Sequence, residues 1–359
     1  MSDPTGAGGG PLVPDIPVIR ARGREQRATF FELFFDLVYV FAVTQLSHHL
    51  LASDLSWTGA AETGFMLVAV YWAWNYTTWM ANWFDPETVP VRLVLAFVML
   101  MSLLMAIAIP EGFGERALLL ACSYAALQIG RNAFVVVVTP RGDFNQNFRQ
   151  ILAWSLLATP FWIVGGFVDD ARWGLWLVAL GIDLVAPLVR FWVPRAGATP
   201  HSNWQIDGRH FAERFQLFVI IALGESIVLT GVTASATHLS AANVVALTLA
   251  FVSTTALWWL YFDRTAPLVT RVVSRVSRDE IGAIGRDVYT YLHLPIVAGI
   301  VLTAVGDEIL IAHPGDQLSV AGAVVTLLGP TLYLVGLLAC VARIGERARP
   351  GRAWRSRSS

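Results

Sequence analysis

What most constrains this chain is a succession of apolar runs, each close to the roughly 20 residues a helix needs to cross the hydrocarbon of a bilayer. Ten can be read: 30–51, 60–83, 90–110, 115–138, 149–168, 172–193, 209–232, 241–262, 286–310 and 317–343. Hydrophobic residues make up 55% of the chain, charged residues only 14%, and mean hydropathy is +0.58, which excludes an ordinary soluble domain. The expected fold is all-α: a polytopic integral membrane bundle of about ten transmembrane helices. A net charge of −1 gives no bulk attraction to nucleic acid, so the expected partner is the lipid bilayer.

Orientation follows from arginine, since cytoplasmic loops carry the basic excess. All 25 basic residues are Arg. With the N-terminus inside, 20 of them fall in inner segments, whereas outer loops hold only Arg116 and Arg172, beside acids such as Asp54, Glu111, Asp307 and Asp316. Arg131, Arg190 and Arg214 lie within spans. Both termini are therefore expected in the cytoplasm. Residues 1–29 read as a disordered basic arm, 30–344 as one transmembrane domain and 345–359 as a disordered basic tail. No apolar signal-peptide core precedes the first run. Leu268 to Val276 suggests a short amphipathic surface helix. Cys122 and Cys340 lie in apolar runs without metal spacing and read as buried spectators.

Ionisable groups inside these runs are costly and are candidate functional positions. Glu32 and Asp36 share one face of span 1. His210, Glu213 and Arg214 stack at the start of span 7, and Asp85 and Asp263 close spans 2 and 8 on the same side. Pairing of Glu32 or Asp36 with Arg131, of Glu213 with Arg190 and of Asp263 with Arg264 would lock helices together there. Glu225 lies about 16 Å further in, at 1.5 Å per residue, with no Arg nearby in sequence. Tyr289 and His293 sit at intermediate depth. His210, Glu213 and His293 make too sparse a set for a metal, so a histidine bonded to a carboxylate is expected instead. No cofactor or nucleophile motif stands out, although Ser226 neighbours Glu225.

An internal duplication is also legible. Glu32-Leu-Phe-Phe-Asp through Gln45 aligns with Glu213 through Glu225, and Thr77-Thr78 to Asp85 with Thr254-Thr255 to Asp263. The copies are six spans apart and so run in the same direction, predicting a pseudo-twofold along the membrane normal. Gln45 is the counterpart of Glu225.

Phe31-Glu-Leu-Phe-Phe-Asp-Leu-Val-Tyr-Val-Phe-Ala-Val-Thr-Gln-Leu46 resembles the opening motif of the bacterial low temperature requirement A family. His210-Phe-Ala-Glu-Arg-Phe through Ala-Leu-Gly-Glu-Ser226 resembles its second motif, and Trp258 to Asp263 and Tyr291-Leu-His-Leu-Pro295 fit the same pattern. The resemblance implies a multi-pass protein of the bacterial inner membrane, linked by name to growth in the cold. It carries over no catalytic residue. The first expectation for function is a secondary transporter or permease of a small polar solute with proton-linked carboxylates. The candidate residues are Glu225, Glu213, His210, Arg214, Glu32, Asp36, His293 and Asp263. An intramembrane enzyme or membrane sensor is the alternative.

Overall fold

A computed structural model describes residues 18–20, 27–200, 204, 206–236, 240–273 and 278–348. The described chain is helical: α1 Phe30–Ala52, α2 Trp57–Trp83, α3 Val89–Ala108, α4 Ala117–Val138, α5 Asp143–Phe167 and α6 Arg172–Val185. These are followed by α7 Gly208–Ala236, α8 Ala241–Trp259, α9 Ala266–Val273, α10 Arg278–Ile284, α11 His293–Ala312 and α12 Val320–Ala348. Two π-helical segments, Leu260–Thr265 and Gly285–Tyr291, join α8 to α9 and α10 to α11. Eight helical stretches are long and apolar enough to cross a membrane, and the protein is a polytopic helical membrane bundle.

The two expected spans outside those eight depart for different reasons. Helix α2 has 27 residues, ample length, but it carries Asn75, Thr77, Thr78 and Asn82, and these four are buried along with most of its other side chains. A helix enclosed by other helices need not satisfy lipid. Helix α6 has 14 residues, not the 22 expected for 172–193. At about 1.5 Å per residue it reaches roughly 21 Å, short of a hydrocarbon core of about 30 Å. Its apolar run continues through Trp192, but the chain turns at Pro187, with Arg190 and Phe191 in the left-handed region (φ 55° and 51°).

Same-side helix ends meet, which makes the alternation visible. Arg20 donates to the carbonyls of Ala81 and Phe84, both at 3.0 Å, and Asn82 donates to the Asp207 carbonyl at 3.0 Å. Arg343 of α12 reaches Asp287 before α11. At the opposite face His49 approaches the Pro110 carbonyl at 3.3 Å, and Asn243 donates to the Ile311 carbonyl at 2.9 Å. The first set of ends is the arginine-rich face.

Within the arm, residues Val18, Ile19 and Arg20 lie against the end of α2. Ile19 bridges Phe84, and the backbone N–H of Arg20 donates to Trp83 at 3.0 Å. Most of the remaining arm lies outside the described residues, as do 274–277 of the surface helix and 349–359 of the tail; α12 itself runs on to Ala348. Of the two cysteines, Cys340 is buried, but Cys122 is exposed on the outside of α4. Asp307, expected in an outer loop, instead lies within α11 and is buried.

The duplicated helices share packing partners. Helix α1 packs on α2 and α3, α7 on α8 and α11, and α1 lies against α7. The two copies are unlike in burial, because α2 is enclosed while α8 buries only Asn243, Ala250, Thr254 and Leu257.

Candidate functional site

Helices α1 and α7 both begin on the arginine-rich face and present matching stripes to each other. On α1 the order is Glu32, Asp36, Tyr39, Thr44; on α7 it is His210, Arg214, Phe218, Glu225. Two polar layers result, separated by aromatic rings.

The first layer begins at the cap of α1. Thr29 and Glu32 form a reciprocal capping box, the Glu32 backbone N–H donating to the Thr29 hydroxyl and the Glu32 carboxylate accepting the Thr29 N–H at 2.8 Å. The same carboxylate oxygen faces the Arg20 guanidinium at 2.8 Å, and Oε1 accepts from His210 Nε2 at 2.9 Å. Because Asn82 donates to Nδ1 of His210 at 3.0 Å, that ring carries its proton on Nε2. Glu32 is thus fully bonded. Asp36 is less well served: its Oδ1 accepts from Arg214 at 2.7 Å and from the Trp74 indole at 2.9 Å. Asp36 Oδ2, Arg214 Nε and Arg214 Nη1 are buried without partners among the described residues. The Phe35 ring lies 5.9 Å from the guanidinium carbon.

These pairings replace the expected ones. Arg131, expected to meet Glu32 or Asp36, is held by Gln128, Thr77 and Asn132, with the Tyr76 ring 5.2 Å away. Glu213 accepts the Ala28 N–H at 3.0 Å and does not pair with Arg190. Asp263 does face Arg264, at 3.4 Å, but both are exposed at the bundle's edge and outside the polar layer. Asp183 accepts from Tyr124 and Trp162 at 2.9 and 3.3 Å.

The partition is built around Phe218. Its ring centroid lies 4.1 Å from that of Trp74, 6.0 Å from Tyr71 and 6.4 Å from Tyr39, and a 2.8 Å bond to Ser102 fixes the Tyr39 hydroxyl. His293 lies nearby, donating from Nδ1 to the Val288 carbonyl at 2.9 Å and bonded through Nε2 to the Tyr261 hydroxyl at 2.8 Å. His210, Glu213 and His293 therefore turn to different partners and do not converge, and no metal-ligating group of three occurs among the described residues.

Beyond the rings, Thr44 donates to Glu225 Oε2 at 2.6 Å. Thr44 adjoins Gln45, so the duplication finds the depth of this contact but misses its residue by one. Glu225 is 1% exposed, and its Oε1 and the neighbouring Ser226 Oγ are buried with no partner among the described residues. Glu308 of α11, bonded to Thr233, lies close enough to interact electrostatically with Glu225, as does His48. Oε2 of Glu308 and Oδ2 of the adjacent Asp307 are also unpartnered. Glu308 and His48 escaped the sequence reading. The available signal was the consecutive acid pair Asp307-Glu308 inside an apolar run.

The charge balance of the layers differs. Toward the arginine-rich face two carboxylates, Glu32 and Asp36, meet two guanidiniums, Arg20 and Arg214. Around buried Glu225 the second carboxylate is half-buried Glu308, and the base within electrostatic range is His48, which is itself exposed. Burying a carboxylate without a matching cation is costly, so this second layer is suited to take up a proton or a cation.

A family model described as "Bacterial low temperature requirement A protein (LtrA)" matches residues 27–356. The chain is 40% identical over 329 residues to the uncharacterized protein RA0937 of Rhizobium meliloti (strain 1021), covering 91% of this chain and 80% of that one. No solved structure matches it.

Proposed function

We propose that this chain, which belongs to the bacterial low temperature requirement A family, is a proton-linked carrier of a small polar solute in the cytoplasmic membrane. The arginine-rich face is the cytoplasmic one, by the bias of basic residues toward that side. The observation that carries the proposal is the pair of polar layers that α1 and α7 form, one of buried ion pairs and one around buried Glu225, on either side of the Phe218 partition. A helix lock needs one such layer. Two layers separated by a ring barrier are what an occluded pathway requires, with ionisable groups available to each side in turn. Glu225 is the station on the outer side and Asp36, with its unmet Oδ2, the station on the inner side. Glu32, fully bonded to Thr29, Arg20 and His210, is a structural lock.

The test is solute-driven proton movement in proteoliposomes carrying an internal pH dye. A panel of amino acids, sugars, organic acids and polyamines is applied outside. Wild type should couple at least one of them to a pH change, Glu225→Gln should reduce that signal at least tenfold with unchanged helicity, and Glu225→Asp should restore part of it. Coupled flux in Glu225→Gln equal to wild type would remove Glu225 from the mechanism.

A smaller prediction concerns Arg20. Arg20→Ala removes the guanidinium from Glu32 and both bonds to the end of α2. Proteolysis at residues 18–20 and 27–30 should accelerate in the folded protein, while Glu225-dependent flux stays measurable. Unchanged protease sensitivity would show that the Ile19–Phe84 bridge alone holds this stretch.

A further inference from the structure

The early end of α6 has a local consequence. Where its missing turns would continue, the chain folds back through Pro187, Arg190 and Phe191, leaving a narrow, open-mouthed cleft between α2, α5, α10 and the π-helical segment before α11. Its walls are aromatic: Trp79 and Trp83 from α2, Phe148 from α5, and Phe191 stacked on Trp204 at 5.5 Å. Two arginines, Arg190 and Arg286, line it, and no carboxylate does. Arg286 is oriented by Asp287 at 2.8 Å, which also binds Arg343, itself paired with Glu346, so this group is balanced and Arg190 carries the uncompensated positive charge. The Arg190 guanidinium has no hydrogen bond or ion pair among the described residues.

We propose that this cleft binds an anionic phospholipid from the adjacent leaflet, its phosphate on Arg190 and its glycerol and upper acyl chain against the rings. Three features point to a lipid over a soluble anion. The cleft lies at the arginine-rich end of the helices, where headgroups lie. Leu188, Val189 and Trp192, which flank Arg190 in sequence, are exposed and face outward, so the mouth borders hydrocarbon. The interior is an aromatic surface with a cation at its edge that has no partner among the described residues, which suits an amphiphile with one anionic group. The inference is independent of the transport reading, because it concerns a different part of the bundle.

The experiment uses the full chain in nanodiscs of phosphatidylcholine with one-fifth phosphatidylglycerol, with bound lipid counted by native mass spectrometry. Wild type should retain phosphatidylglycerol in preference to phosphatidylcholine, Arg190→Gln should lose that occupancy about tenfold, and Arg190→Lys should keep part of it. Ala283→Phe, which narrows the cleft without changing charge, should lose it as well, so the result does not rest on one variant folding. Arg264→Gln, an exposed arginine on the same face, should behave as wild type. Three results would each overturn the proposal: equal retention of the two lipids, a loss in Arg264→Gln as large as in Arg190→Gln, or displacement of the lipid by 1-naphthyl phosphate at equal free concentration. The last would assign the cleft to a soluble aromatic anion.

Discussion

Arg214→Ala should be the most damaging single substitution in the bundle, lowering stability by about 3–5 kcal/mol, the usual result of leaving a buried charge without its partner. Asp36 would be left, 1% exposed, with only the Trp74 indole to compensate it. The arrangement has little reserve, since three polar atoms of the pair are already unpartnered among the described residues. The test is the SDS-unfolding midpoint of the purified protein. A double variant, Asp36→Asn with Arg214→Leu, removes both charges and should recover much of the loss, because replacing a whole buried pair is often close to neutral. Should Arg214→Ala unfold at the wild-type midpoint, the guanidinium does not hold the buried Asp36 contact.

The second large effect belongs to Gly329. Helices α11 and α12 make the most extensive helix contact among the described residues, and glycines set its distance. A Cβ at Gly329 would lie 2.5 Å from the Thr303 backbone nitrogen and 2.6 Å from its hydroxyl; one at Gly299 would lie 2.5 Å from the Tyr333 nitrogen. Those neighbours are mostly backbone and cannot swing aside. Small residues let membrane helices approach closely where lipid offers no hydrophobic drive to associate. Gly329→Val should therefore force the two helices apart, at a cost of about 1–3 kcal/mol or more, and displace Glu308 from Glu225. Loss of monodisperse protein together with loss of coupled flux is expected. Gly224→Ala, where an added Cβ meets nothing within 4 Å, is the matched control and should be silent. A Gly329→Val protein that purifies and transports normally would contradict the close approach.

Much of this architecture was legible in sequence because lipid imposes a demand along one dimension. Arginine placement and run length located the ends of α1, α2, α3 and α4 to within about three residues, whereas α5 begins six residues before its expected start and α11 seven after. The apolar run of α6 outlasts its helix because Leu188, Val189 and Trp192 are apolar whether they continue a helix or line a turn. Side-chain partners were another matter. Arg131 and Arg214 lie at comparable depths, and which one meets Asp36 depends on the rotation of α4 and α7 about their axes. Depth alone could not choose. Glu225 stood out as deep and unpaired, yet Thr44, His48 and Glu308 come from two other helices, and no local spacing in the chain brings them to it. The glycines at 299 and 306 on α11, and at 322, 329 and 336 on α12, recur every seven residues, about two turns. That pattern was present in the sequence and marks the α11–α12 contact.

The enclosure of α2 bears on how the protein is made. A segment holding Asn75, Thr77, Thr78 and Asn82 gains less from hydrocarbon than its neighbours do, and each polar residue lowers the tendency of a lone helix to leave the translocon for lipid. Its tryptophans and hydroxyls find partners such as Asp36, Thr290 and the Tyr289 carbonyl only once α1, α7 and the π-helical segment before α11 are in place. That π-helical segment is synthesised some two hundred residues after α2. Biogenesis of this bundle is thus expected to be held open at its centre: α2 is threaded early, poorly solvated by lipid, and becomes secure only when the second half of the chain closes around it.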